Sequence, residues 1–220
     1  VGLGTWTVLR RNEEEIARRA GRPIRITWIA ERAIERAREA TRGVAGLNLT
    51  DDAAEVLTHP DIDIVIELIG GLEPARTFIL WAIANGKHVV TANKALLARH
   101  GNEIFAAAHK KGVMVAFEGA VAGGIPIIKA LREGLTANRI EWIAGIINGT
   151  SNFILSEMRA KGASFATVLA EAQARGYAEA DPTFDIEGID AAHKLTIMSA
   201  IAFGVPMQFD KVYTEGISKL

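Results

Sequence analysis

Over its first half the chain alternates short apolar, β-rich runs with amphipathic helical patterns, and this order constrains the fold more than any other feature. Strands laid side by side in parallel need crossover helices between them, so the reading is α/β with a Rossmann-type parallel sheet. Val1–Leu3 reads as the end of a first strand and Trp6–Ala20 as a helix stopped by Gly21. Further strands are expected at Ile24–Ala30, Ile62–Ile69, His88–Thr91 and Val113–Phe117, with Ile62–Ile69 the clearest buried one. Helices are expected at Glu31–Ala40, from an Asp51 or Asp52 cap to near Leu57, at Glu73–Asn85 and at Ala95–Lys111. Gly86 and Gly112 suit the left-handed residue that closes a helix.

The texture changes after Phe117. Glu118-Gly119-Ala120-Val121-Ala122-Gly123-Gly124-Ile125-Pro126 is a run of small residues that continues neither a strand nor a helix, and it marks a domain boundary. Residues 1–117 form the sheet domain and 118–220 a second, α+β domain, a division that 220 residues accommodate. In the second domain Ile127–Leu135 reads as helical, Arg139–Ile147 as a strand, and Asn148-Gly149-Thr150 as a turn capping a helix from about Ser151. Helices at Ser164–Arg175 and Ile189–Phe203 flank an acidic loop, Gly176–Glu187, and Gly204 and Pro206 end the last helix. Met and Trp read as core.

Composition excludes several chemistries. A formal net charge of −1 gives no basic footprint for nucleic acid, and the absence of Cys removes disulfides, thiolate catalysis and Cys-based zinc sites. Leu195–Met207, the longest apolar stretch, is too short to cross a bilayer and contains Pro206. No secretory signal is read at Val1-Gly2-Leu3, and the expected compartment is a reducing cytoplasm.

Four places offer chemistry. Gly2-Leu3-Gly4 supplies two glycines at the spacing of a dinucleotide phosphate loop, but Thr7 stands where a third is wanted, and a tight turn explains the pair equally well. After the second expected strand, Glu31 would accept from a ribose 2′-hydroxyl and Arg32 would hold a 2′-phosphate, leaving NAD and NADP both open beside a plain solvated helix start. Thr91-Ala92-Asn93-Lys94 stands just past a strand, where open α/β sheets place ligand groups. Asn93 also suits a cap, whereas a Lys in a first helical turn is opposed by the helix dipole. The acidic loop and the helix after it are the most informative. Asp190 and Lys194 are four apart and share a helix face, so an ion pair would hold the ammonium in place. An exposed pair of this kind is common, but Leu195-Thr196-Ile197-Met198 points to a buried helix. His193 falls about 100° away on that helix and is declined as catalytic. His59, His88, His100 and His109 show no metal-ligand spacing and read as cap, edge or surface residues.

Thr91-Ala92-Asn93-Lys94, Glu118–Pro126, Asn148-Gly149-Thr150-Ser151-Asn152-Phe153-Ile154-Leu155 and Gly176-Tyr177-Ala178-Glu179-Ala180-Asp181-Pro182 running on to Asp190 and Lys194 together resemble the homoserine dehydrogenase family over essentially the whole chain. The resemblance implies interconversion of L-aspartate 4-semialdehyde and L-homoserine with NAD or NADP, in a site between the two domains. It implies that Lys194 exchanges a proton with the substrate oxygen, that Lys94 lies near nicotinamide and substrate, that Glu179 and Asp190 hold the amino acid, that Asp185 supports the acidic pocket, and that Thr150 lies at the substrate cleft. Gly2, Gly4, Arg32 and Gly176 are implied at the cofactor. A sodium ion is implied on backbone carbonyls at Glu118, Val121, Gly123 and Ile125, a hard-cation donor set. A homodimer is also implied.

Against the family pattern, about eight residues are wanting between Leu3 and Gly4, judged from the roughly 30-residue βαβ fingerprint, and a mobile phosphate loop there is the expectation. Ile217-Ser218-Lys219-Leu220 falls before the later part of the family's substrate and dimerisation region. Two rivals stand beside this reading: a dehydrogenase of another amino-acid semialdehyde or β-hydroxy acid, and a non-catalytic amino-acid-binding relative that ignores the nucleotide.

Overall fold

The chain opens in a helix, not a strand, in the computed structural model, which describes residues 1–220. Helices α1 (Gly2–Arg11) and α2 (Glu13–Ala20) meet at Asn12, and Gly21 closes α2 in the left-handed region at φ 74. The single expected helix over Trp6–Ala20 is therefore two. The strand end expected at Val1–Leu3 and the mobile loop expected between Leu3 and Gly4 are corrected by the same hydrogen bonds. Thr5 N donates to Val1 O at 3.0 Å and Thr7 Oγ1 to Leu3 O at 2.9 Å, so unbroken helix crosses the Leu3–Gly4 bond. Glycine reads as a loop marker, yet a first helical turn tolerates it because its N–H groups lack intrahelical partners in any case.

Residues 1–91 with 106–116 form one unit. Its strands make two small parallel sheets. β1 (Trp28–Ala30) pairs with β2 (Asn48–Thr50), and α3 (Ile34–Ala40) is the crossover between them. β2 is a three-residue strand that no periodicity announces. After it, Asp52 accepts from Ala54 N at 2.8 Å and caps α4 (Ala53–Thr58), as expected. The second sheet has the order β3 (Ile64–Glu67), β4 (His88–Thr91), β5 (Val115–Ala116), with α5 (Ala75–Ala84) and α6 (Lys94–Lys111) as crossovers. Ile64 pairs with His88, and Val89 with Val115. The expectation that Ile62–Ile69 is the best-buried strand is corrected: Ile64 and Ile66, two residues apart, share one face of β3, and that face is exposed. The buried side chains of this unit include Ile62 ahead of β3 and Leu57, Ile79, Ile83, Val89 and Val115.

Lys87 anchors the entry to β4 in an unusual way. Its side chain is buried, and Nζ donates to His59 O at 2.5 Å and Ile62 O at 2.8 Å, tying the α4–β3 turn to the start of β4. Burial pushes this amine below its ordinary pKa, partly opposed by Asp63.

Residues 92–105 and 117–220 form the other unit. The part of α6 that belongs here is tied in by Asn102, whose Nδ2 donates to Met207 O at 3.0 Å while Met207 N donates to its Oδ1 at 2.9 Å. Helix α7 (Ile127–Lys129) runs into a π-helical turn at Ala130–Gly134. Helices α8 (Gly149–Lys161), α9 (Phe165–Ala174), α10 (Thr183–Ile186) and α11 (Ile189–Phe203) complete the unit. Ile154 of α8 with Val168 and Ala172 of α9 is the centre of a buried cluster joined by Phe153, Met158 and Leu169. The strand expected at Arg139–Ile147 is corrected to irregular backbone. A ladder needs a neighbouring strand, and none lies alongside, so Trp142 and Ile146 are 73% and 79% exposed. With Trp81 and Met114 also exposed, Met and Trp as a class are not core. No helix is long and apolar enough to cross a membrane.

Candidate active site

The site is assembled in the second unit from four helix ends. Gly188, at φ 76, turns the chain into α11, which sets Asp190 in its first turn and Lys194 one turn on. The i,i+4 contact forms as the spacing predicts: Lys194 Nζ donates to Asp190 Oδ2 at 2.5 Å. It also donates to Ile147 O at 2.7 Å. Lys94, the first residue of α6, reaches Asp190 Oδ1 at 2.9 Å. One carboxylate thus holds two ammonium groups.

Asn148 completes the arrangement. Its Oδ1 accepts from Ser151 N at 2.8 Å, capping α8, and its Nδ2 donates to Asp185 Oδ1 at 2.7 Å and Asp190 Oδ2 at 2.9 Å. The sequence marked Asn148 only as a cap; its second role depends on two acids far along the chain. Burial pushes the Asp190 carboxyl up, but hydrogen bonds from Lys194, Asn148 and Lys94 outweigh it and leave the group below the usual aspartate value. Asp190 uses three of about four acceptor positions on these neighbours, whereas Asp185 offers its second oxygen.

These groups line a cavity of about 610 Å³ together with Gly149, Thr150, Phe153 and Tyr177. Thr150 Oγ1 donates to Tyr177 O at 2.7 Å, and Ser151 Oγ to Asp185 O at 2.9 Å, so α8 fastens both ends of the acidic segment. Two cations, two anions and an aromatic wall suit a small zwitterion with one further polar oxygen. Of the residues expected here, Lys94, Thr150, Asp185, Asp190 and Lys194 come together. Glu179 does not line the cavity: its side chain is exposed, and its backbone carbonyl accepts from Gln173 Nε2 at 3.1 Å. Gly176, at φ 74, follows α9 and lies outside the cavity lining. His193 turns away as expected. It is buried with neither ring nitrogen hydrogen-bonded, its ring 4.5 Å from Phe209 and 6.1 Å from Phe184. Burial, then the positive charge of Arg99, holds its pKa below the ordinary histidine value.

The first unit carries features that fit a nicotinamide nucleotide. The α1 N-terminus has no side-chain cap, and nothing lies within 4 Å of where a Cβ would stand on Gly2 or Gly4, leaving its N–H groups open to a phosphate. Arg32 is exposed just beyond the carboxyl end of β1, while Glu31 turns back to accept from Ala33 N at 3.0 Å. A residue the sequence did not single out is Glu67, buried at the end of β3. It accepts from Ile69 N at 2.7 Å, Gly70 N at 3.0 Å and Thr91 Oγ1 at 2.6 Å, and so shapes the turn outside the carboxyl ends of β3 and β4. For a monovalent cation the relevant observation is Ala122, a non-glycine residue at φ 48 that reverses the backbone inside Glu118–Pro126. The Glu118 carboxylate itself is occupied by Ile128 N and Lys129 N, each at 2.9 Å, which leaves its carbonyl as the donor to consider.

Comparison with known proteins gives a consistent result. The family model described as homoserine dehydrogenase, NAD binding domain, matches residues 1–118, and that described as homoserine dehydrogenase matches 126–220. A homoserine dehydrogenase of Pseudomonas aeruginosa is 67% identical over 221 residues, covering 100% of this chain and 50% of that protein. The crystal structure of a homoserine dehydrogenase from Thiobacillus denitrificans superposes with a TM-score of 0.95 at 73% identity, over 100% of this chain and 50% of the other. A hyperthermophilic archaeal homoserine dehydrogenase in complex with NADPH gives 0.66 at 25% identity, over 80% of this chain and 67% of the other. The chain spans about half the length of the curated relatives it matches.

Proposed function

Because this chain belongs to the homoserine dehydrogenase family, we propose that it performs the NAD(P)-dependent interconversion of L-aspartate 4-semialdehyde and L-homoserine, with Lys194 exchanging the proton at the substrate oxygen. The observation that carries this reading is the donor arithmetic at Lys194. An ammonium has three N–H groups; Ile147 O and Asp190 Oδ2 take two, and the third remains for a ligand in the cavity that Lys194 lines.

Asp190 keeps that ammonium in place and holds Lys94 beside it, so two positive charges face an oxygen that becomes alkoxide-like in the reaction. The second oxygen of Asp185 receives the α-ammonium of the amino acid, and Thr150 and Tyr177 bound the space around it. Glu179 has no part in this assignment. Gly2, Gly4 and Arg32 would hold the nucleotide, with Arg32 favouring a 2′-phosphate and hence NADP; Gly176 and Lys94 carry over from the family as further nucleotide contacts. When bound, that cofactor supplies the hydride chemistry. A sodium ion on the backbone carbonyls of Glu118, Val121, Gly123 and Ile125, carried over from the family, is part of the same proposal. So are a homodimer and a cytoplasmic setting.

The test is absorbance of the reduced nicotinamide with L-homoserine and each oxidised cofactor. Lys194→Ala is expected to cut turnover by about 10²–10⁴-fold, the usual worth of a positioned acid or base, and to leave nucleotide affinity nearly unchanged. Near-normal turnover in that variant, or equal loss of both properties, would overturn the assignment.

A further inference from the structure

Asn148 does more than start a helix. Its backbone is extended, at φ −129 and ψ 118, so the residue stands just ahead of α8 with its side chain across the helix end. Because Oδ1 must face Ser151 N, the amide has one orientation, and both N–H bonds of Nδ2 point at carboxylates: Asp185 of α10 and Asp190 of α11. The preceding carbonyl, Ile147 O, holds Lys194. Two consecutive residues therefore grip the acid and the ammonium of the same ion pair. A neutral double donor between two carboxylates lowers their mutual repulsion without cancelling either charge, which leaves both anions available to cationic partners.

We propose that Asn148 is a positioning residue for the reaction: it holds Asp185 and Asp190 together and through Asp190 keeps Lys194 set for proton exchange. This rests on the functional reading above. The charged groups facing Asp190 are Lys94 from α6, Lys194 from its own helix and, across the Asn148 amide, Asp185 from α10. Asn148 is the uncharged member of this set, so replacing it alters the pair without removing an ion.

Capping and positioning separate cleanly by substitution. Ser and Asp cap helices about as well as Asn, so Asn148→Ser and Asn148→Asp keep the Ser151 N hydrogen bond while losing the donation to both carboxylates. Asn148→Asp also adds a third anion. The cap itself changes by only tenths of a kcal/mol, so the melting loss expected in Asn148→Ser is that of the two donations to carboxylate, and the added anion makes Asn148→Asp melt lower still. Turnover with L-homoserine is expected to fall about 10- to 100-fold, as for loss of a hydrogen bond to a charged group, with nucleotide affinity unchanged. Independently of turnover, the Asp190 carboxyl carbon, labelled and assigned through Asp190→Asn, is expected to titrate at higher pH in Asn148→Ser than in the parent. Parent-like turnover and an unmoved Asp190 titration in Asn148→Ser would overturn the proposal, as would turnover that follows the cap alone, kept in Asn148→Ser and lost in Asn148→Ala. A parent without homoserine-dependent turnover would instead sink the functional reading, and the carboxyl titration alone would then decide whether the amide holds the pair.

Discussion

Replacing Asp190 by Asn removes one negative charge from between two ammonium groups, and the geometry sets the size of the effect. The Asp190 side chain is 7% exposed and that of Lys194 is 16%, so this contact resembles a buried pair, in which losing one partner costs about 3–5 kcal/mol; an exposed pair contributes about 0.3–0.5 kcal/mol. Lys94 is 40% exposed, and solvent screening brings its share to a few tenths of a kcal/mol. Asn still accepts a hydrogen bond, which places the total near the low end, at about 3 kcal/mol. For a chain of this size that corresponds to a fall in Tm of about 6–12 °C. Circular dichroism melts of parent, Asp190→Asn, Lys194→Met and the double variant read both the loss and the coupling, which should approach 2–3 kcal/mol for residues in contact. Turnover should fall at least 100-fold in Asp190→Asn, because Lys194 loses the partner that aims it. A loss below about 0.5 kcal/mol with full turnover would mean that the pair behaves as a surface contact, and the reasoning about this site would fail.

Two further outcomes follow from buried titratable groups. His193 has its folded-state pKa depressed, so the unfolded chain binds the proton first as pH falls; stability is full above the unfolded value of about 6.5 and declines below it down to the folded pKa. Urea midpoints should therefore drop between pH 7 and pH 5, and His193→Leu should flatten that slope; an unchanged slope would show that other groups control it. Lys87→Met keeps an apolar stem but leaves His59 O and Ile62 O without their donor, which should cost about 2–6 kcal/mol in urea unfolding, from about 1–3 kcal/mol for each unsatisfied buried group. A cost under 1 kcal/mol would mean that water replaces the ammonium there.

Much of this molecule was legible before any coordinates, and the pattern of success is physical. His88–Thr91 and Ile189–Phe203 begin and end where periodicity and the glycines around them indicate, because those signals are local. The Asp52 and Asn148 caps belong to the same class, each bonding within three residues of itself. The Asp190–Lys194 contact was readable as well, since four residues along a helix make one face.

What the sequence could not decide was everything that depends on a distant neighbour. Arg139–Ile147 has the composition of a strand but no strand beside it, and Ile62–Ile69 shortens to β3, whose Ile64–Ile66 face nothing covers. Lys94 meeting Asp190, and Asn148 joining Asp185 to Asp190, required the approach of helix ends contributed by widely separated segments. By itself the sequence determined helices, caps, the composition of the acidic segment and the family. Tertiary structure decided which carboxylate holds which ammonium, because hydrogen bonds and ion pairs act over about 3 Å and only a folded chain brings such groups that close.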